Sequence, residues 1–214
     1  MWMKIAMLSL LLACTLPVHA SEPERTVSGT RVTSARDPKI RIDLPATAQY
    51  VGAERWMLLP YDDCEMHVFV DADAQKRVAR LYWVQFEAYT PDRPDAHHDY
   101  EGSRHIAIQG LDFYLDTWVQ GPDQKVDGDS DGAHQRRLLA AKGFQRPANG
   151  MYVRLVYLPD AAKRKELMVI YGEDLAPTGF TAAQLDEHGS AHDRWPDIEK
   201  TLIQRALDRV SFHP

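Results

Sequence analysis

Residues 151–171 read MYVRLVYLPDAAKRKELMVIY, and their pattern decides the fold. Met151, Val153, Leu155 and Tyr157 alternate with Tyr152, Arg154, Val156 and Leu158, the period of two that a strand imposes on its faces. One face is fully apolar and the other mostly so. Leu167 through Tyr171 then form an unbroken apolar run, which suits a strand covered on both sides. Pro159 and Asp160 open a turn between the two, and Lys163, Arg164 and Lys165 are expected to keep its tip in water. Asn149-Gly150 supplies the turn before the first strand. Two such strands belong in the middle of a sheet.

Upstream, Ile40, Ile42 and Leu44 alternate before Pro45 ends a short strand. Residues 55–59, 64–70 and 78–89 follow as strands. Cys64, Met66, Val68 and Val70 share one face. In the longest strand, Tyr82, Val84 and Phe86 lie on one face, and Leu81 and Trp83 lie opposite with Gln85 and Glu87. Residues 90–104 carry Pro91 and Pro94 and read as an irregular loop, the kind of segment on which functional side chains concentrate. Residues 105–109 and 111–120 are two further strands about Gly110. In the second, Tyr114 and Trp118 sit with Asp112 and Asp116, opposite Phe113 and Leu115.

A helix is expected over residues 133–142, with Gly143 placed to end it. Thr181 to Gln184 has capping-box spacing. Pro196 suits a first helical turn, and Trp195, Ile198, Leu202, Ala206 and Val210 recur at helical spacing to about Arg209. Strands come in runs instead of alternating with helices. The fold class is therefore α+β, a mostly antiparallel sheet with a long C-terminal helix and a shorter helix packed on it.

The chain of 214 residues fits one domain. Its net charge of −6 argues against nucleic acid or an anionic membrane as partner. Residues 1–20 read as a signal peptide. Lys4 supplies the positive end, residues 5–13 are apolar but too short to span a bilayer, and Val18-His19-Ala20 forms a cleavage site. A competing reading takes Leu11-Leu12-Ala13-Cys14 as a lipobox, which would make Cys14 the lipidated end of an outer-membrane lipoprotein. Either route places the protein outside the cytoplasm, periplasmic or secreted. Residues 21–38 are polar and read as a flexible lead-in, and residues 39–214 as a single α+β domain. No transmembrane span is expected in the mature chain. After cleavage Cys64 is the one remaining thiol, so no internal disulfide can form. It reads as a packed core thiol. His67, three residues on, points to the other face and could not activate it.

Three candidate sites emerge. Asp127, Asp129 and Asp131, followed by Gly132, match the front half of a calcium loop, where alternate carboxylates converge on a hard cation. The twelfth position is Leu138 in place of a bidentate glutamate, and the alternative is a solvated acidic loop with Ser130 or Asp131 capping the next helix. His97 and His98 lie in the proline-flanked loop, and His188 and His192 are spaced for zinc on a helix, although Gly189 and Ser190 between them favour a loop. Glu173-Asp174 is a carboxylate pair at the end of the central hairpin. No nucleophile elbow, P-loop or dinucleotide fingerprint is present.

The runs RLYWVQFE (80–87), GLDFYLDTWV (110–119), RKELMVIYGEDLAPTGFTAAQL (164–185) and WPDIEKTLIQRA (195–206) resemble a family of uncharacterised secreted proteins of Gram-negative bacteria. That resemblance covers most of the mature chain and brings no activity with it. The strand order and the closing helix with Arg209-Val210-Ser211-Phe212 resemble the PsbP-like α/β/α sandwich. Its members are mostly accessory or assembly factors, which by analogy implies a binding role.

The expectation is a non-enzymatic accessory or binding module of the cell envelope, recognising an envelope protein or a small ligand. Tyr114 and Trp118 would form its exposed aromatic face, unless they pack under the helices. The alternative is a metal-dependent enzyme, a hydrolase built from the histidine loops. A third reading is a calcium-stabilised structural domain. The discriminator is whether His97 or His98 meets His188, His192 or a carboxylate.

Overall fold

The computed structural model describes residues 22–126 and 128–214. In chain order these form β1 (Thr26–Ser28), β2 (Arg31–Ser34), β3 (Ile40–Asp43), β4 (Gln49–Leu58), β5 (Asp62–Ala72), β6 (Val78–Tyr89), β7 (Arg104–Ile108) and β8 (Leu111–Gln120). Then come α1 (Asp131–Ala141), β9 (Gly150–Tyr157), β10 (Lys165–Asp174), α2 (Ala182–Leu185), α3 (Trp195–Arg209) and β11 (Ser211–His213). The class is α+β. A seven-stranded antiparallel sheet runs β4-β5-β6-β10-β9-β8-β7, and a four-stranded one runs β1-β2-β3-β11. β10 is the middle strand of the larger sheet, as its unbroken apolar run implied.

Alternation along the strands makes two cores. On one face Tyr82, Phe86, Val169 and Tyr171 pack with Leu202 and Ala206 of α3 and with Ile42 and Phe212 of the small sheet. On the other, Met66, Val68, Trp83, Ile170 and Tyr152 pack with Leu139 of α1. Ser130 is the N-cap of α1, its side chain accepting from the Ala133 N–H, and Thr181 and Gln184 complete a reciprocal capping box on α2. Among the described residues no helix is long and apolar enough to cross a membrane.

Three expectations need correction. Residues 21–38 are not simply a flexible lead-in, because β1 and β2 lie within them as an antiparallel pair. Each strand contributes one apolar side chain, Val27 or Val32, so neither shows a period. The start of this segment is fastened by buried Glu65. Its carboxylate accepts the Glu24 and Arg25 N–H groups at 2.8 and 2.7 Å, the Arg25 guanidinium at 3.1 Å, and pairs with His67 Nε2 at 2.9 Å. Burial alone would raise its pKa, but these donors hold it at about 2. Second, β4 begins at Gln49, six residues before the expected strand, because an irregularity between Tyr50 and Gly52 breaks the alternation.

Third, the basic triplet is not a free tip. Lys165 is already in β10 and pairs with Asp37 at 2.8 Å. The Arg164 guanidinium donates to five backbone carbonyls, those of Tyr89, Thr90, Arg93, Pro94 and Ala96, at 2.6–3.2 Å. It therefore pins the loop after β6 onto the β9–β10 turn.

Candidate metal centre

Register sets one line of side chains across the second face. Glu87 of β6 stands opposite Cys64 of β5 on one side and opposite Glu166 of β10 on the other. Asp62 precedes Cys64 by two residues and so shares its face. Like charges directly opposite in a sheet are destabilising, so this arrangement opposes the fold unless something neutralises it.

The covering segment follows from topology. β6 is the third strand of the sheet and β7 its far edge. The connection through residues 90–103 must pass β10, β9 and β8, and it does so over the acidic row. His98 donates its backbone N–H to the Lys163 carbonyl at 2.8 Å, which sets its side chain inward. Its Nδ1 lies 3.1 Å from Glu166 Oε2, and its ring stacks on Tyr89 at 4.6 Å. Tyr100 donates its hydroxyl to the same Glu166 oxygen at 2.6 Å. From below, Trp83 Nε1 donates to Gln85 Oε1 at 2.8 Å, and Gln85 Nε2 donates to Glu87 Oε1 at 2.5 Å. α1 closes the other side with Asp131 and with His134, which stacks on Trp56 at 4.2 Å and bonds Glu54 at 2.6 Å.

Arg164 thus positions His98 without touching it. Arg164→Ala is expected to cost about 1.5–3 kcal/mol, the value of a charged donor's bonds. The loss should be concentrated in residues 90–98. Hydrogen exchange at the His98 amide reads this directly, and unchanged protection there would refute the clamp.

Closure is nearly complete. Relative exposure is 4% for Asp62, 0% for Cys64, 9% for Glu87, 7% for His98 and 1% for Glu166. Burial pushes the Asp62 pKa up to about 6 and the Glu166 pKa up to about 7. Glu87 is driven well above the carboxylate range by burial and then by the charges of Glu166, Asp131 and Asp62. Asp131 is raised by burial too. Burial also raises the Cys64 thiol and lowers His98 to about 4, so the imidazole is neutral and fit to ligate.

The donors converge in two overlapping groups, Glu87–His98–Glu166 and Asp62–Cys64–Glu87. Within each, one ligand atom per residue lies within 4.8 Å of the others. Donors on a common tetrahedral zinc at about 2.0–2.3 Å sit about 3.3–3.8 Å apart, so closing on an ion needs side-chain movements of up to about an ångström. Polar atoms without partners occur in the same place. Asp62 Oδ1, Asp131 Oδ1 and His98 Nε2 are buried with no hydrogen bond, an expensive condition that a ligand would relieve.

Of the residues singled out from sequence, His98 meets a carboxylate, while His97 is exposed. His188 and His192 are exposed in the α2–α3 connection, on the α3 side of the sheet, and join no such group among the described residues. Asp127 lies outside the described residues. Asp129 is 85% exposed, and the Gly128 carbonyl beside it accepts from Arg137 at 2.6 Å. Asp131 turns away toward the buried row. Glu173 is taken by Arg205 at 2.8 Å and Asp174 accepts the Ala176 N–H at 3.0 Å, so both serve structure. Cys64 and His67 do lie on opposite faces. Tyr114 and Trp118 are half-buried, Trp118 stacked on Tyr152 at 5.2 Å and Tyr114 against Tyr100 at 5.3 Å, so they pack as a layer and not as an exposed binding face. Glu87, Glu166, Asp62 and Tyr100 were missed as site residues. Glu87 in a mid-strand apolar setting was the available signal. No family model, curated protein or solved structure matches the chain.

Proposed function

We propose that this protein is an exported binding module that holds a divalent transition-metal ion, with Zn²⁺ the best fit, on Glu87, His98 and Glu166. Asp62 and Cys64 stand on the other side of Glu87 as further donors. The observation that carries the reading is the convergence of the buried donors Glu87, His98 and Glu166, with His98 Nε2 and the neighbouring Asp62 Oδ1 left unpartnered. An imidazole nitrogen beside two carboxylates suits zinc and its neighbours, whereas calcium takes oxygen alone. Three protein ligands leave a fourth position on a tetrahedral ion, but all three donors are buried, so no substrate reaches that position, and burial supports holding the ion over the competing reading of a hydrolase. Export rests on the signal-like residues 1–20.

The test is a thermal melt of the protein stripped with EDTA and then supplied with Zn²⁺. An ion at 100 times its Kd adds about 2.7 kcal/mol, which is roughly 5–10 °C for a domain of this size. His98→Ala should erase the rise. No zinc-dependent shift in the parent, or an equal shift in the variant, would reject the assignment.

A further inference from the structure

A second site lies on the same face, beyond the acidic row. A cavity of about 90 Å³ opens between Trp83, Trp118 and Tyr152, with Ile170 at its base and Arg136 and Arg146 at its side. That is room for a few water molecules or one small solute. Its aromatic wall is built in. Trp118 stacks on Tyr152 at 5.2 Å with an interplanar angle of 15°. Tyr152 lies across Gly150 and Gly172, where a Cβ on either residue would collide with its ring.

The polar groups of this cavity are donors in excess. Arg136 reaches one carbonyl, that of Gln124, at 3.3 Å, and its Nη2 is buried with no acceptor. Arg146 makes one long contact, to Gln120 Oε1 at 3.5 Å. Neither guanidinium has a carboxylate partner among the described residues. Gln135, only 3% exposed, also lines the cavity with its Nε2 unpartnered. Two neighbouring guanidiniums with no acid between them repel each other, and a fold of net charge −6 has carboxylates to spare. The donors are aimed at something else.

We infer that this cavity binds a small monocarboxylate. Its carboxylate would sit between Arg136, Arg146 and the Gln135 amide, and its short apolar body would lie against Trp83, Trp118 and Tyr152. A planar guanidinium matches a carboxylate edge in two parallel hydrogen bonds. The walls decide the class. Phosphate would turn part of its polar, charged surface against Trp83, Trp118 and Ile170, whereas an acid with two to four carbons lays its tail on that apolar wall. The proposal does not rest on the metal reading, and its test needs no metal.

The probe is butyrate, titrated into the EDTA-treated protein while tryptophan emission is followed, since Trp83 and Trp118 line the cavity. A saturable change with a Kd on the order of 1 mM is expected for so small a ligand. Arg136→Gln and Arg146→Gln should each weaken binding at least tenfold without lowering the melting temperature, because neither removes an ion pair. Gln135→Glu, which sets a carboxylate beside the ligand, should abolish it. Arg137→Gln, on the exposed side of α1, should change nothing. No saturable response to butyrate, or undiminished binding in both arginine variants, would overturn the proposal. Binding of inorganic phosphate in preference to butyrate would overturn the carboxylate class.

Discussion

Glu87→Gln is expected to make the metal-free protein more stable at pH 8 and, in the same stroke, to remove its response to zinc. Glu87 faces Glu166 and Cys64 across its two neighbouring strands, and burial followed by the charges of Glu166, Asp131 and Asp62 raises its pKa well above 4.5. In the unfolded chain the same carboxyl ionises near 4.5. Above that pH the unfolded state gains stability from ionisation while the folded state must keep a proton or bury a charge. The penalty on folding therefore grows as pH rises from about 4.5 to the folded value. Asp62 at about 6 and Glu166 at about 7 add penalties of the same sign over the same window. His98, held at about 4, acts oppositely and costs stability as pH falls below its usual value.

Glutamine cannot ionise, and it keeps the oxygen that Gln85 Nε2 donates to. Each unit by which the folded pKa exceeds the unfolded one costs the parent about 1.4 kcal/mol at a pH above both, and glutamine removes that cost. The gain should be present at pH 8 and absent near pH 4.5. Chemical denaturation in EDTA at the two pH values measures it. A variant less stable than its parent at pH 8 would contradict the view that the site is held against the interest of the fold. The cost of Glu87 to the empty protein is the counterpart of its use to a bound ion, since buried, mutually repelling carboxylates are favourable when a cation sits among them.

Phe212→Ala should cost about 3–5 kcal/mol, the loss of a buried aromatic. The melting temperature should fall by about 10 °C. Phe212 is in a three-residue strand near the chain's end, yet it is fully buried. Its ring meets Phe113 of the large sheet at 4.6 Å, its backbone pairs with Ile42, and its N–H donates to Gln109 Oε1 at 2.5 Å. One side chain thus joins both sheets. Phe212→Leu, which keeps most of the volume, should recover most of the loss. A drop below about 1 kcal/mol for alanine would mean the small sheet contributes little.

Much of this fold was legible because its long strands obey a simple period. β6 and β8 have the bounds their alternation predicts, and the capping box at Thr181 is where its spacing put it. β1, β2 and β11 were illegible for one reason. Each is three or four residues long, with too few apolar positions to establish a period. The site was half legible. Alternation puts Gln85 and Glu87 on one face and Cys64 on another strand's single face, but whether Cys64 and Glu87 stand in one row depends on register between strands. Glu166 was hidden by its neighbours, since Lys163, Arg164 and Lys165 made the segment look like a solvated turn. His98 could be marked as a candidate, but its partner could not. The approach of the 90–103 loop to β10 follows from strand order, which is not a local property.

The alternation that separates the two cores also bears on how the chain avoids misfolding. A slip of one residue in β6 would exchange Glu87 for Phe86, and in β10 it would exchange Glu166 for Leu167, because side chains on a strand swap faces with each step. The mis-registered sheet would thrust carboxylates among Val169, Tyr171 and Leu202 and expose phenylalanine to the polar side. The acidic row that weakens the correctly paired sheet is thus much more hostile to a shifted one. It widens the energy gap between the native pairing and its nearest competitors, so that a cluster suited to a ligand also acts as a proofreading device for strand register.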